Sequence, residues 1–114
     1  MSLVMTYEEY NIINKEFLDF VNKIAEENLE NYSEEILEKI KNYKAKFEEI
    51  MEKSNEEVGS EDNENNLKDL RYLVLDSLFL AADLTNFYNY KESERFKMRV
   101  ANYLNKRRRA ESGF

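Results

Sequence analysis

The sequence predicts an all-α fold: a four-helix bundle-like domain of two helical hairpins joined by an acidic loop, expected to form a dimer. Pro is absent and Gly occurs twice in 114 residues, so almost nothing punctuates strands and tight turns. Charged residues make up 36% of the chain. Apolar residues recur every three to four positions in successive segments, as helices with one buried face require. The length suits a single domain, and standard scaling lets about two-thirds of the unfolded surface be buried. The expected organisation is therefore one α-helical domain over 1–114, with an acidic flexible loop at 54–65 and a short tail at 110–114.

The first helix is expected to open at Thr6, where Thr6 and Glu9 have capping-box spacing and Met5 is placed to staple onto Tyr10. Its stripe is Tyr10, Ile13, Phe17, Phe20, Val21 and Ile24, and it frays out near Asn28 to Asn31. Ser33 is the next N-cap, followed by Glu34 and Glu35, whose charge complements the positive end of the helix dipole. Ile36, Ile40, Tyr43, Phe47 and Ile50 form a narrow seam on an otherwise exposed second helix. Ser54 to Asn65 reads SNEEVGSEDNEN, with five acids, no base and a single Val, the composition of a loop.

The third helix is expected from Asn65 or Asn66 to about Asn86. Leu67, Leu70, Tyr72, Leu73, Val74, Leu75, Leu78, Phe79, Leu80 and Leu84 cover most of its circumference. Asp69, Asp76 and Asp83, seven apart, keep a polar line, read as a wet edge or as partners for Lys68 or Arg71. A helix so broadly apolar calls for burial on two sides. Leu70, Leu73, Val74, Leu78 and Phe79 are therefore assigned to a homodimer or protein-partner interface. Phe87, Tyr88 and Tyr90 form an aromatic connection, and Asn89 or Ser93 caps a fourth helix. That helix carries Phe96, Val100, Tyr103 and Leu104 inward and ends in bases.

There are no Cys and no His, which removes disulfides, thiolate nucleophiles, imidazole bases and most zinc sites. The net charge is −7, which disfavours nucleic acid and anionic membrane as an average property. The charge is uneven: Met1 to Tyr90 holds 9 basic and 21 acidic residues, whereas Lys91 to Arg109 holds 8 basic and 2 acidic. An anion-binding role belongs to Lys106, Arg107, Arg108 and Arg109, with Tyr103 available to stack on a base. The opening MSLVMTYEEY has no basic n-region, and the most apolar stretch, Tyr72 to Leu84, is shorter than the roughly 20 residues that span a bilayer. A cytoplasmic protein without a membrane role is expected. The Asn31-Tyr32-Ser33 sequon is read as part of a helix cap.

One carboxylate constellation has metal-ligand character. Glu48, Glu49 and Glu52 follow Glu-Glu-x-x-Glu on the second helix, and Asp69 could face them from the third. Carboxylates converging without basic partners would suit Mg²⁺ or Mn²⁺. The segments FEEIMEK (47–53) and NNLKDLRYL (65–73), with MTYEEY near the start and ANYLNKRRRAESGF at the end, resemble the MazG-type all-α nucleotide pyrophosphohydrolases. That resemblance implies Mg²⁺-dependent release of pyrophosphate from a nucleoside triphosphate, with Glu48, Glu49, Glu52 and Asp69 as metal ligands on a dimeric helical scaffold. The chain departs from the family's Glu-x-x-Asp at Asn66, which puts a neutral amide where a carboxylate belongs, and Lys68 adds a cation beside it. From the residues themselves the leading expectation is a non-catalytic interaction and self-association module with no cofactor. The alternatives are the Mg²⁺ enzyme and a nucleic-acid accessory protein acting through its basic last helix.

Overall fold

The computed structural model describes residues 3–30, 32–56 and 64–111, the side chains of 110 and 111 excepted. Four helices make up the fold: α1 (Leu3–Glu26), α2 (Glu34–Glu56), α3 (Glu64–Asn89) and α4 (Ser93–Glu111). There is no strand among the described residues, and none of the helices is long and apolar enough to cross a membrane. The pair α2 and α3 makes the most extensive contact, followed by α1 with α2 and α3 with α4.

One spacing rule explains the core. On α3 the residues Leu67, Leu70, Val74, Ser77, Ala81, Leu84 and Tyr88 are buried, a 3-4-3-4 repeat that keeps one seam facing its neighbours. On α1 the buried set Tyr10, Asn14, Phe17, Val21 and Ile24 follows the same rule. On α4 it is Phe96, Val100 and Tyr103. Leu37, Ile40, Phe47 and Ile50 complete the core from α2. Aromatic rings lock α1 to α2: Phe17 lies edge-on to Phe47 at 5.4 Å between centroids and 5.3 Å from Tyr43. Offset and edge-to-face pairs of this kind add to the area they bury.

Both short connections end a helix in the same way. Leu29 N–H donates to Ile24 C=O and Asn28 N–H to Ala25 C=O, with Asn28 at φ 56°. Glu92 N–H donates to Phe87 C=O and Lys91 N–H to Tyr88 C=O, with Lys91 also at φ 56°. These are Schellman closures, which satisfy the last carbonyls through left-handed residues, Asn28 together with Leu29 (φ 58°) at the first and Lys91 at the second. None of the three is a glycine. Aromatics tie the two connections together: Tyr32 stacks on Tyr88 at 4.7 Å, Ser33 N–H donates to the Tyr88 hydroxyl, and Lys91 Nζ sits 4.8 Å from the Tyr32 ring centre.

Several boundaries differ from the sequence expectation. Helix α1 is already formed at Leu3, so Thr6 is a buried residue inside it and not its cap, while Met5 lies within the same helix and is exposed. Glu9 reaches across to Lys53 Nζ at 3.1 Å. Ser33 does cap α2, accepting from Ile36 N–H at 3.1 Å. Helix α4 starts at Ser93, with Glu92 as its cap residue accepting from Phe96 N–H, in place of Asn89 or Ser93. The expected loop is helical at 54–56 and 64–65, its middle lying outside the described residues, and α4 continues through 110–111 of the expected tail. Phe87 and Tyr88 belong to α3 and not to a connection.

Candidate functional site

The carboxylates of the sequence constellation do not converge. Glu48, Glu49 and Glu52 lie off the Phe47, Ile50 and Ser54 seam of α2, so all three are exposed, and Glu48 pairs with Lys44 at 3.5 Å. Asp69 is exposed on α3, near enough to Tyr7 of α1 to help raise its phenol pKa. Among the described residues no group of three or more carboxylates is placed to hold a metal ion. These side chains do not fit Mg²⁺, which demands tight octahedral oxygen geometry.

The basic end of α4 is divided in its directions. Lys106 Nζ turns to Asp76 of α3 at 3.0 Å, and Arg107 reaches inward to the Tyr10 hydroxyl at 3.4 Å. Arg107 and Arg108 both line a groove against α1. Arg99 pairs with Asp83 at 2.8 Å. Asp76 and Asp83 thus find their partners on α4, and not in Lys68 or Arg71 as the sequence suggested. Arg71 has another task. It donates to the Ser54 carbonyl at 2.9 Å, one of the last-turn carbonyls of α2 that no intrahelical N–H reaches.

The residues assigned to an interface separate into two groups. Leu70 and Val74 are fully buried in the core, and Leu73 and Leu78 pack partly buried against it. Leu70 and Val74 are therefore corrected from interface to core, because they occupy the 3-4 seam of α3. Phe79 remains at the surface, 56% exposed, and the structure adds Tyr72 at 69% and Leu75 at 40% beside it. At spacings of i, i+3 and i+7 these three form one stripe along the outer face of α3.

A buried polar layer is the feature that sequence reasoning missed. Ser77 Oγ lies 2.9 Å from Asn14 Oδ1, 2.9 Å from the Tyr10 hydroxyl and 3.3 Å from the Tyr103 hydroxyl. Ser77 donates to Asn14 Oδ1, and in its contacts with the two phenols either hydroxyl can supply the proton. The Tyr10 hydroxyl also reaches Leu73 C=O at 3.2 Å. Burial pushes the Tyr10 phenol well above its ordinary range, with the Tyr103 phenol adding to the rise and the Ser77 hydrogen bond and Arg107 opposing it. Tyr10 is thus a neutral donor. The signal was present in the spacing: Asn14, Ser77 and Arg107 each fall on the 3-4 register of their helix, as polar residues where the seam calls for apolar ones.

This layer joins α1, α3 and α4 through side-chain hydrogen bonds inside the core. Compared with known proteins, the chain matches no family model, no curated protein and no solved structure.

Proposed function

We propose that the protein is a non-catalytic interaction module that pairs with a second copy of itself through the outer face of α3. The observation that carries this reading is the stripe of Tyr72, Leu75 and Phe79, three large exposed side chains in one line along the outer face of α3, whereas the exposed Ile12, Tyr90 and Met98 lie on other elements. Contiguous exposed apolar surface on a small domain marks contact sites. The molecule measures 49 × 32 × 18 Å, a slab about two helix diameters thick, so a second copy laid on α3 would thicken it into a more compact body.

A two-fold axis near Leu75 gives the proposed pairing its register. Such an axis sets Tyr72 of one copy on Phe79 of the second, as an isologous interface requires. It also brings Lys68 towards Asp83 of the second copy. The same reading keeps the hairpin arrangement of α1 with α2 and α3 with α4 within each copy.

Light scattering on the full chain from micromolar to several hundred micromolar tests this. The expected mass is twice 13.7 kDa, and Phe79→Asp, at an exposed position, is expected to halve it while the circular dichroism spectrum stays unchanged. A wild-type mass of 13.7 kDa across that range would remove the reading.

A further inference from the structure

Tyr10 points from α1 into the core, with its hydroxyl 2.9 Å from Ser77 of α3. A helix turns about 100° per residue, so Met5 and Ile12 on the same helix point the opposite way, out of the molecule. Both are 61% exposed. With Glu8, Glu9 and Ile13 they line an open groove of about 360 Å³ along the first turns of α1. On α3, Tyr72 is likewise turned away from Ser77, so this groove and the α3 stripe lie on opposite sides of the molecule. Pairing through α3 leaves the groove open to a further contact.

A single exposed apolar side chain is ordinary on a small protein. Here two stand in line at i and i+7, with the half-buried Ile13 beside them, and the hollow they form has a charged border. Glu8 and Glu9 line it, and Glu16 follows one turn beyond Ile12 on the exposed side of α1. Lys53 of α2 balances Glu9, with Nζ 3.1 Å from its carboxylate. Lys46 leans over the Tyr43 ring further along α2, and Lys15 stands on the α4 side of α1, in the groove that Arg108 also lines. Glu8 and Glu16 therefore give the border of the apolar floor a negative sign.

We propose that this groove seats a basic amphipathic helix of a partner protein, whose apolar stripe covers Met5, Ile12 and Ile13 and whose lysines or arginines meet Glu8, Glu9 and Glu16. Side chains at i, i+3 or i+4 and i+7 of a helix form a ridge that fits an apolar groove on a second helix. Met5, with its unbranched thioether, adapts to the side chains it meets. From Met5 to Ile13 the floor runs about 12 Å, two turns of an incoming helix, which makes a small and readily reversible contact. The negative border draws a basic helix towards it and turns an acidic one away. A second copy of this chain carries the same net charge of −7 and is the poorer match.

The test is a titration of the methyl-labelled full chain with a synthetic leucine–lysine peptide of about 18 residues, long enough to hold a helix, with its leucines at i, i+3, i+4 and i+7. The same peptide with glutamate in place of lysine is the comparison. Saturable shifts centred on the Met5, Ile12 and Ile13 methyls are expected, with the lysine peptide binding about tenfold more tightly than the glutamate one. Ile12→Ser, at an exposed position, is expected to weaken binding about fivefold with an unchanged melting temperature. Glu8→Lys is expected to weaken it about threefold at low salt, an effect that fades at high salt. Met98→Ser, exposed on α4, leaves binding as it was. Shifts centred on Leu75 of α3, equal affinity for the two peptides, no saturable shift at millimolar peptide, or an undiminished affinity in Ile12→Ser would each overturn the site. An Ile12 shift that grows with protein concentration in the absence of peptide, and persists in Phe79→Asp, would place a second copy in the groove and overturn the partner.

Discussion

Replacing Ser77 with alanine removes a single oxygen from the middle of the fold, and its consequence can be worked out from the partners of that oxygen. Ser77 is fully buried, with Tyr10 and Asn14 at 2.9 Å and Tyr103 at 3.3 Å. After the substitution Tyr10 keeps Leu73 C=O as an acceptor. Asn14 Oδ1 and the Tyr103 hydroxyl lose the partner that Ser77 gave them. A buried polar group left without a partner costs about 1–3 kcal/mol, so Ser77→Ala is expected to lose about 2–4 kcal/mol. For a chain of this length the unfolding entropy is about 0.24 kcal/mol/K, which turns 3 kcal/mol into a fall of about 12 °C in Tm. Urea denaturation monitored by circular dichroism measures the loss. Adding Tyr103→Phe tests the reasoning further, because removing both partners of a hydrogen bond leaves less unsatisfied than removing one. The double variant is expected to lose about 1 kcal/mol less than the sum of the singles. A Ser77→Ala loss below about 0.5 kcal/mol, the range of ordinary surface changes, would refute the account of this layer.

The remaining expectations concern caps, pH and the carboxylates. Lys91→Gly is expected to be about 1 kcal/mol more stable than Lys91→Ala in urea titrations, because both lose the contact with Tyr32 and only alanine keeps a Cβ in the left-handed region. Ser33→Ala is expected to cost about 1 kcal/mol, the usual value of an N-cap oxygen, read from the same titration. Tyr7, Tyr10, Tyr43 and Tyr88 all have pKa values raised, chiefly by burial. Their folded forms favour the protonated phenol, so their contribution is fully present below the unfolded tyrosine value of about 10 and is lost as pH rises beyond it. Thermal melts at stepped pH, with tyrosinate absorbance alongside, are expected to show Tm falling above about pH 10. With Glu48, Glu49, Glu52 and Asp69 dispersed, millimolar Mn²⁺ with a nucleoside triphosphate is expected to leave Tm within about 1 °C of the apo value. A shift that needs both and is lost in Glu49→Gln would show that these carboxylates gather on a metal after all.

The sequence by itself determined that this is a four-helix chain, because the scarcity of Gly and Pro and the 3-4 recurrence of apolar residues act within each segment. Ser33 was readable as a cap for the same reason, since its partner Ile36 is three residues away. Phe96, Val100 and Tyr103 could be placed inward from spacing alone. The tertiary structure decided which of two neighbouring apolar rows was core. On α3 a row of leucines and a row of aromatics are equally apolar in sequence, and only the packing of α1, α2 and α4 buries Leu70 and Val74 while leaving Tyr72 and Phe79 in water. It also decided the partners of the charges. Asp76 and Asp83 meet Lys106 and Arg99 across a helix pair 30 and 16 residues apart in the chain, a separation that no local pattern encodes. Lys15 and Arg108, far apart in sequence, line one groove between α1 and α4 for the same reason. Spacing along a helix fixes the direction of a side chain relative to its own axis, and only the neighbouring helices fix what that direction meets.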